Sequence, residues 1–590
     1  MRRLLIWTIV PVAAASITIG AEDPPGRGSG PYAVQLLREA GYSAADFDRY
    51  ASISRFNVVE ATIPELQEAL ESGELTSRDL VALYLLRIAR YEELINAAIT
   101  INPNVFAEAE QKDGERARGV SRGPLHGIPI AVKDNINTTD MPTTGGALAF
   151  EGIVPTYEAT LVTNLRQAGA IIIAKTVMTE LANWVALAMP TNYSAAGGYG
   201  FNPYDPRPDP RTVAPFNDGR PALATGGSSG GGGTAASFWA ASVGTETSGS
   251  ILSPSNQNML VGIKPTVGRV SGWGVIPIVA DQDIAGPMAR TVVDAAVMLG
   301  AMEGSRPDPN DPATTACTPP PGRDYTRFLR TAGLRGARIG IPRAFYYDPV
   351  TLPGSTTPTG GRTPAQLAVL NEAIEIMKRE GAVIVDPANI PSVVDGTPAN
   401  NLLLYGTCTT TRAANCSIVL AYGFKRDFNR YLGTLGPDAH FKTLTDLRRY
   451  NTANIPRNAI KYEQALLDFS DDMNLETDRA RYEADRAKDI YLTATHGIGE
   501  VMQVNRLDAL VFGSNFGANV AARPGYPSVI VPFGTVPNVV NPPFPAEFNA
   551  RPAPFGITFT STSCSEPRLL EIAYAFEQAT KRRVPPPSTP

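Results

Sequence analysis

The chain has 590 residues, 43% of them hydrophobic and 18% charged, the balance of a folded globular protein rather than a disordered or multi-span one. Its 52 basic and 57 acidic side chains leave a formal charge of -5, and no long Lys/Arg block is present, which argues against a nucleic acid partner. Three histidines and four cysteines without close paired spacing give no ligand set of the zinc-ribbon kind, so no metal is expected.

In chain order, Met1-Arg2-Arg3, the apolar run Leu4 to Val10 and small residues through Ala15 have the three regions of a secretory signal, read here as residues 1–21. The expected site of cleavage is after Ala15 or near Ala21, and the expected location is outside the cytoplasm. The alternative is an uncleaved N-terminal membrane anchor, disfavoured because the apolar run is short and interrupted by Pro11. Residues 22–59 read as an N-terminal extension with the first helices, its Glu22 to Gly30 stretch polar and Gly/Pro-rich. Thr76 stands as the N-cap of a helix whose Leu80, Val81, Tyr84, Leu85 and Ile88 recur on one face.

Ile128 to Val132, Ile171 to Ala174 and Ala509 to Phe512 read as short buried strands, with Thr160 to Ala168 as an intervening helix. This alternation predicts an α/β sheet. Asn202 to Ala224, Arg306 to Gly322 and Pro353 to Pro364 are proline-rich and polar, as surface loops are, and Arg338 to Pro342 opens a second half with a fresh strand. An oxidising destination permits disulfides; Cys408 and Cys416 are nearest in sequence, leaving Cys317 and Cys564, and all three complete pairings stay open. Asn137, Asn192 and Asn415 begin glycosylation acceptor patterns, of which the third is favoured because the first two fall in the candidate catalytic region.

The chemistry is concentrated in three segments. His126-Gly127-Ile128-Pro129-Ile130-Ala131-Val132-Lys133 ends an apolar strand on a lysine; Gly226-Gly227-Ser228-Ser229-Gly230 offers two serines on glycine-supported backbone; Gly244-Thr245-Glu246-Thr247-Ser248-Gly249-Ser250 offers a third with no histidine nearby. Serine chemistry run by a base other than histidine fits them, and Lys133 is the candidate base. An unperturbed lysine titrates near ~10.4, so such a base must be buried to be neutral at neutral pH.

In this order, and with Ile263 to Ser271, Gln282 to Arg290 and Ser565 to Ala579 following, these blocks resemble the amidase signature family, and among its branches look closest to the peptide amidases. The resemblance implies a large mixed β-sheet covered by helices on both faces, forming one domain over about 60–585. Its catalytic core falls at about 125–295, a variable specificity region at about 300–500, and a tail at 586–590. It implies an amide hydrolase with a Ser-Ser-Lys triad: Ser250 as nucleophile, Ser228 as a proton relay at a cis peptide bond, and Lys133 as base. The N–H groups around Thr247, Ser248, Gly249 and Ser250 would form the oxyanion hole, with no cofactor and a small-molecule or peptide amide as substrate. The segment between Ser228 and Ser250 is slightly shorter than the family pattern, which leaves Ser229 as the competing relay. Ser248 stands where many members carry glycine.

Other readings compete. Gly226 to Gly230 also satisfies the nucleophile elbow of α/β-hydrolases, with His440 or His496 as base; a P-loop is disfavoured because no lysine precedes Thr234. Lys264 and Asp283 read as structural. At the level of function, the alternatives are an amidotransferase-type subunit of the same family and a non-catalytic binding protein on the same scaffold.

Overall fold

The computed structural model describes residues 28–42, 56–436, 439 and 441–590. The expected signal sequence and His440 therefore lie outside the described residues. The elements that position the site are helix α1 (Ser29–Glu39), α2 (Ser77–Ile95), strands β1 (Ala98–Ile101) and β2 (Pro129–Lys133), α3 (Thr160–Gln167) and β3 (Ile171–Thr176). There follow α4 (Gly231–Ala235), β4 (Ser242–Glu246), α5 (Leu252–Gln257), β5 (Val261–Lys264), β6 (Ile284–Ala289) and α6 (Val292–Met302). The second half supplies β7 (Arg338–Gly340), β8 (Val383–Val385), β9 (Ala509–Gly513), α7 (Ala518–Ala522), β10 (Ser528–Val536), β11 (Ala553–Thr560) and α8 (Glu566–Thr580).

These strands form one 11-stranded sheet in the order β1-β3-β2-β4-β6-β5-β10-β11-β9-β7-β8. It is mixed: β2 runs parallel to both β3 and β4, whereas β4 and β6, and then β10 and β11, are antiparallel. Every residue of β2, β3 and β4 is buried, and for β2 and β3 this is why they read as apolar runs rather than alternating ones. Helices including α6 and α8 pack on the sheet. The α/β expectation thus holds, and the two halves of the sequence share one sheet.

Local signals account for the frame. Thr76 caps α2 in a reciprocal capping box with Asp79, satisfying backbone donors that the first turn would otherwise leave open. The predicted strands agree with β2, β3 and β9 to within a residue or two. Among the described residues no helix is long and apolar enough to cross a membrane.

Both disulfides form, Cys317–Cys564 and Cys408–Cys416, resolving the pairing that sequence left open. The first closes a separation of 247 residues, tying the loop after α6 to the start of α8. Of the three glycosylation patterns, Asn137 and Asn192 are buried and Asn415 is exposed.

Candidate active site

Lys133 is the last residue of β2, fully buried between two parallel neighbours. Its Nζ donates to Thr245 Oγ1 at 2.9 Å and to the Thr245 carbonyl at 3.2 Å. It has no carboxylate within ion-pair distance among the described residues, so burial wins and pulls its pKa down to about 7, against the weaker pull of Asp283 and Glu246. Two other buried lysines are placed differently. Lys175 lies 3.5 Å from Asp134, and Lys264 is spent on the Tyr526 carbonyl at 2.7 Å.

The serine segment lies against the same point. Ser228 is fully buried, and its hydroxyl donates to the Ser250 carbonyl at 2.5 Å and to the Thr245 carbonyl at 3.3 Å. Thr245's carbonyl is thus the acceptor common to Lys133 and Ser228. Ser229 instead donates to the Gly226 carbonyl at 3.1 Å, a contact internal to its own turn. A Cβ on Gly227 would stand 2.5 Å from Ser250 Oγ, so glycine is required there for the serine segment to approach the Ser250 turn.

The expected cis bond at Ser228 is not found. The cis bonds of the described residues all precede proline, at Pro215, Pro387 and Pro542, in keeping with the cost of a cis bond elsewhere. Correspondingly, the Ser228 hydroxyl faces backbone carbonyls rather than bridging Lys133 Nζ and Ser250 Oγ.

Ser250 is half-buried in the turn between β4 and α5. Gly249 before it has φ +89, the left-handed region that glycine adopts without strain. Glu246 Oε2 accepts from the Ile251 and Leu252 N–H groups at 2.8 and 2.9 Å, which fixes the turn from below. The N–H groups of Ser248, Gly249 and Ser250 have no acceptor among the described residues, and Ser248 is exposed. Such a run of open donors can meet a developing oxyanion.

Thr247 Oγ1 donates to Asp283, whose other oxygen accepts from the Ile278 and Val279 N–H groups at 2.7 and 2.8 Å. Desolvation raises the Asp283 carboxyl to about 7 against these bonds. A cavity of about 340 Å³ opens here, lined by Thr245, Thr247 and Asp283 and walled by residues including Trp273, Ile276 and Tyr157. It reaches the site beside Thr247; Ser228 and Ser250 are not in its lining.

Sequence reasoning did not single out three polar contributors, Thr245, Asn135 and Glu246; Asp283, read there as structural, holds Thr247 and the Ile278 and Val279 N–H groups. Asn135 Nδ2 donates to Thr245 Oγ1 at 3.1 Å, so that hydroxyl accepts from both amide and lysine. The signal for Thr245 and Glu246 was their place inside the quoted block; for Asn135, its place two residues after the lysine. Among the described residues, histidine chemistry finds no support in this geometry. His496 lies between Asp395 and Glu500, 2.9 Å from each, and His126 Nε2 meets the Lys112 carbonyl.

The contrast between the adjacent serines gives a direct expectation. Ser228→Ala should lower turnover by orders of magnitude, and Ser229→Ala by about tenfold or less, since its lost bond is a neutral one inside a turn. Steady-state kinetics on both variants, with circular dichroism on each, checks this; a greater loss at Ser229 would move the relay to that residue.

A protein-family model described as Amidase matches residues 79–570. A probable amidase of Arabidopsis thaliana is 34% identical over 540 residues, covering 90% of this chain and 92% of the relative. The crystal structure of native peptide amidase from Stenotrophomonas maltophilia is similar at 35% identity and TM-score 0.73, over 89% of this chain and 98% of that one. An amidase family protein from Bacillus anthracis is similar at 29% identity and TM-score 0.76, over 94% and 98%. One subunit of the glutamyl-tRNA(Gln) amidotransferase of Chloroflexus aurantiacus is 37% identical over 328 residues, 55% of this chain and 60% of the relative.

Proposed function

Since the chain belongs to the amidase family, and is an amidase acting on carboxylic amide C–N bonds, we propose that it does so through a Ser250 acyl-enzyme, with Lys133 as base and Ser228 as relay, on C-terminal amides of peptides. The observation that carries the mechanism is the buried Lys133, without an ion pair among the described residues, joined through the Thr245 carbonyl to the Ser228 hydroxyl. A lysine brought down to about 7 is substantially neutral at neutral pH and can accept a proton.

In the proposed cycle the Ser228 hydroxyl turns from the Ser250 carbonyl toward Lys133. Ser228 takes the proton of Ser250 Oγ as it gives its own to Lys133 Nζ, and Oγ adds to the substrate carbonyl carbon. The resulting oxyanion is met by the N–H groups of the 247–250 turn. The proton then returns through Ser228 to the amide nitrogen, the C–N bond breaks, and ammonia departs, leaving an ester on Ser250. Water adds to that ester by the same relay in reverse, releasing the acid.

The peptide-amide reading is supported by the 35% identity to peptide amidase and by the cavity beside Thr247. Its volume of about 340 Å³ falls within the range of small-molecule sites, and its apolar wall suits a side chain. Ammonia release should be measured on C-terminally amidated peptides, fatty amides and anilides. Peptide amides are expected to lead in kcat/KM by about tenfold or more, equivalent to ~1.4 kcal/mol of discrimination; a fatty amide or anilide in the lead overturns the substrate assignment.

Export belongs to the same proposal, supported by the charged and apolar pattern of residues 1–21 and by the pairing of all four cysteines. N-terminal sequencing of the protein from its natural host should start between Ser16 and Glu22, and an intact Met1 on intracellular protein would refute export.

A further inference from the structure

The nucleophile turn is flanked on one side by a segment that the chemistry above does not use. Directly after β9, Ser514 has φ 52, the left-handed region that non-glycine residues rarely adopt and that recurs where function constrains the backbone. It is held there from two directions. Its N–H donates to the Gly556 carbonyl at 2.8 Å, and Thr558 Oγ1 donates to its carbonyl. Ser514 Oγ then donates to Asn515 Oδ1 at 3.0 Å, which occupies the acceptor end of the asparagine amide and fixes its orientation.

The donor end is left over. Asn515 is half-buried, its Nδ2 has no acceptor among the described residues, and it lies 3.3 Å from the position that a Cβ on Gly249 would take. The asparagine is mounted firmly on the element that carries the nucleophile: Ala518 of α7 packs with Leu252 of α5 and with Ile530 in one apolar cluster. A rigidly held amide donor thus faces the Gly249–Ser250 turn from the β9–α7 side.

We propose that Asn515 is a catalytic residue whose Nδ2 donates a hydrogen bond to the carbonyl oxygen of the amide under attack, adding a side-chain donor to the backbone N–H groups of the turn. This rests on the amide-hydrolase reading. A donor aimed at an oxygen that gains negative charge strengthens its bond as the reaction proceeds, so it acts on the transition state more than on the bound substrate.

The test uses the full chain, with kcat and KM for the best amide substrate and thermal melting for each variant. Asn515→Leu keeps the volume and removes the donor; kcat should fall about 10²-fold, the low end for loss of one oxyanion donor, with KM changed less than about threefold. Asn515→Asp keeps the Ser514 bond but sets a carboxylate beside the oxyanion, and should fall at least as far; it decides the matter should Asn515→Leu not fold. Near-wild-type kcat in a folded variant, with or without a lower melting temperature, makes Asn515 structural and overturns the proposal, as does a raised KM with kcat intact. An inactive wild-type chain would strike at the amide-hydrolase reading and take this inference with it, whereas an active wild type with an active Asn515→Leu strikes at the inference alone.

Discussion

Ser250→Ala should abolish amide hydrolysis, with a loss of at least ~10⁴-fold in kcat, because removal of a nucleophile that works as a unit with its base leaves only residual binding effects. The fold should be untouched. Ser250 is half-buried, its hydroxyl has no hydrogen-bond partner among the described residues, and its neighbours are held by other groups: Glu246 holds the Ile251 and Leu252 N–H groups. Steady-state turnover with a melting curve checks both halves. A folded Ser250→Ala chain with near-full turnover would remove Ser250 from the mechanism.

Lys133→Met should be nearly as damaging, by ~10³-fold or more, while raising stability at neutral pH. The two effects have one cause. The folded Lys133 titrates at about 7 and an unfolded lysine near ~10.4, so between these values the unfolded chain binds more protons and stability rises with pH. At neutral pH the buried lysine therefore costs stability that methionine, of similar shape and no charge, does not. A raised melting temperature together with lost turnover separates a catalytic loss from misfolding.

The same titration sets the pH dependence of the natural enzyme. In the proposed mechanism the neutral lysine is the active form, so kcat/KM should rise with pH up to about 7 and level above it. Asp283 titrates in the same range and attracts the lysine's charge, so the limb belongs to the pair. Asp283→Asn removes a charge that favours protonated lysine and should move the limb to lower pH. A flat profile from mildly acidic to alkaline pH, with chemistry rate-limiting, would contradict a lysine base.

Much of this was legible in the sequence because the informative segments are backbone-determined. Continuous β-branched runs predicted β2 and β3, which are buried on both faces, and a lysine ending such a run predicted a buried candidate base. The order of the sheet was not legible, since β10 pairs with β5 and β9 with β7, strands far back in the sequence, and no local pattern records which. The site's polar support was equally hidden. Thr245 and Asp283 act through contacts across the fold, and Asn515 enters from the second half, where the motifs thin out. The cis bond at Ser228, taken from resemblance alone, is the expectation that the structure did not reproduce.

The central claim is that Ser250 is the nucleophile and that a lysine titrating near neutrality activates it. Reaction with a fluorophosphonate, followed by peptide mapping as a function of pH, tests both together. The account predicts a single adduct on Ser250 whose rate of formation rises up to about pH 7, and which Ser250→Ala abolishes and Lys133→Met slows by orders of magnitude. An adduct on Ser228 or Ser229, or labelling of Ser250 at a rate indifferent to Lys133→Met, would contradict it.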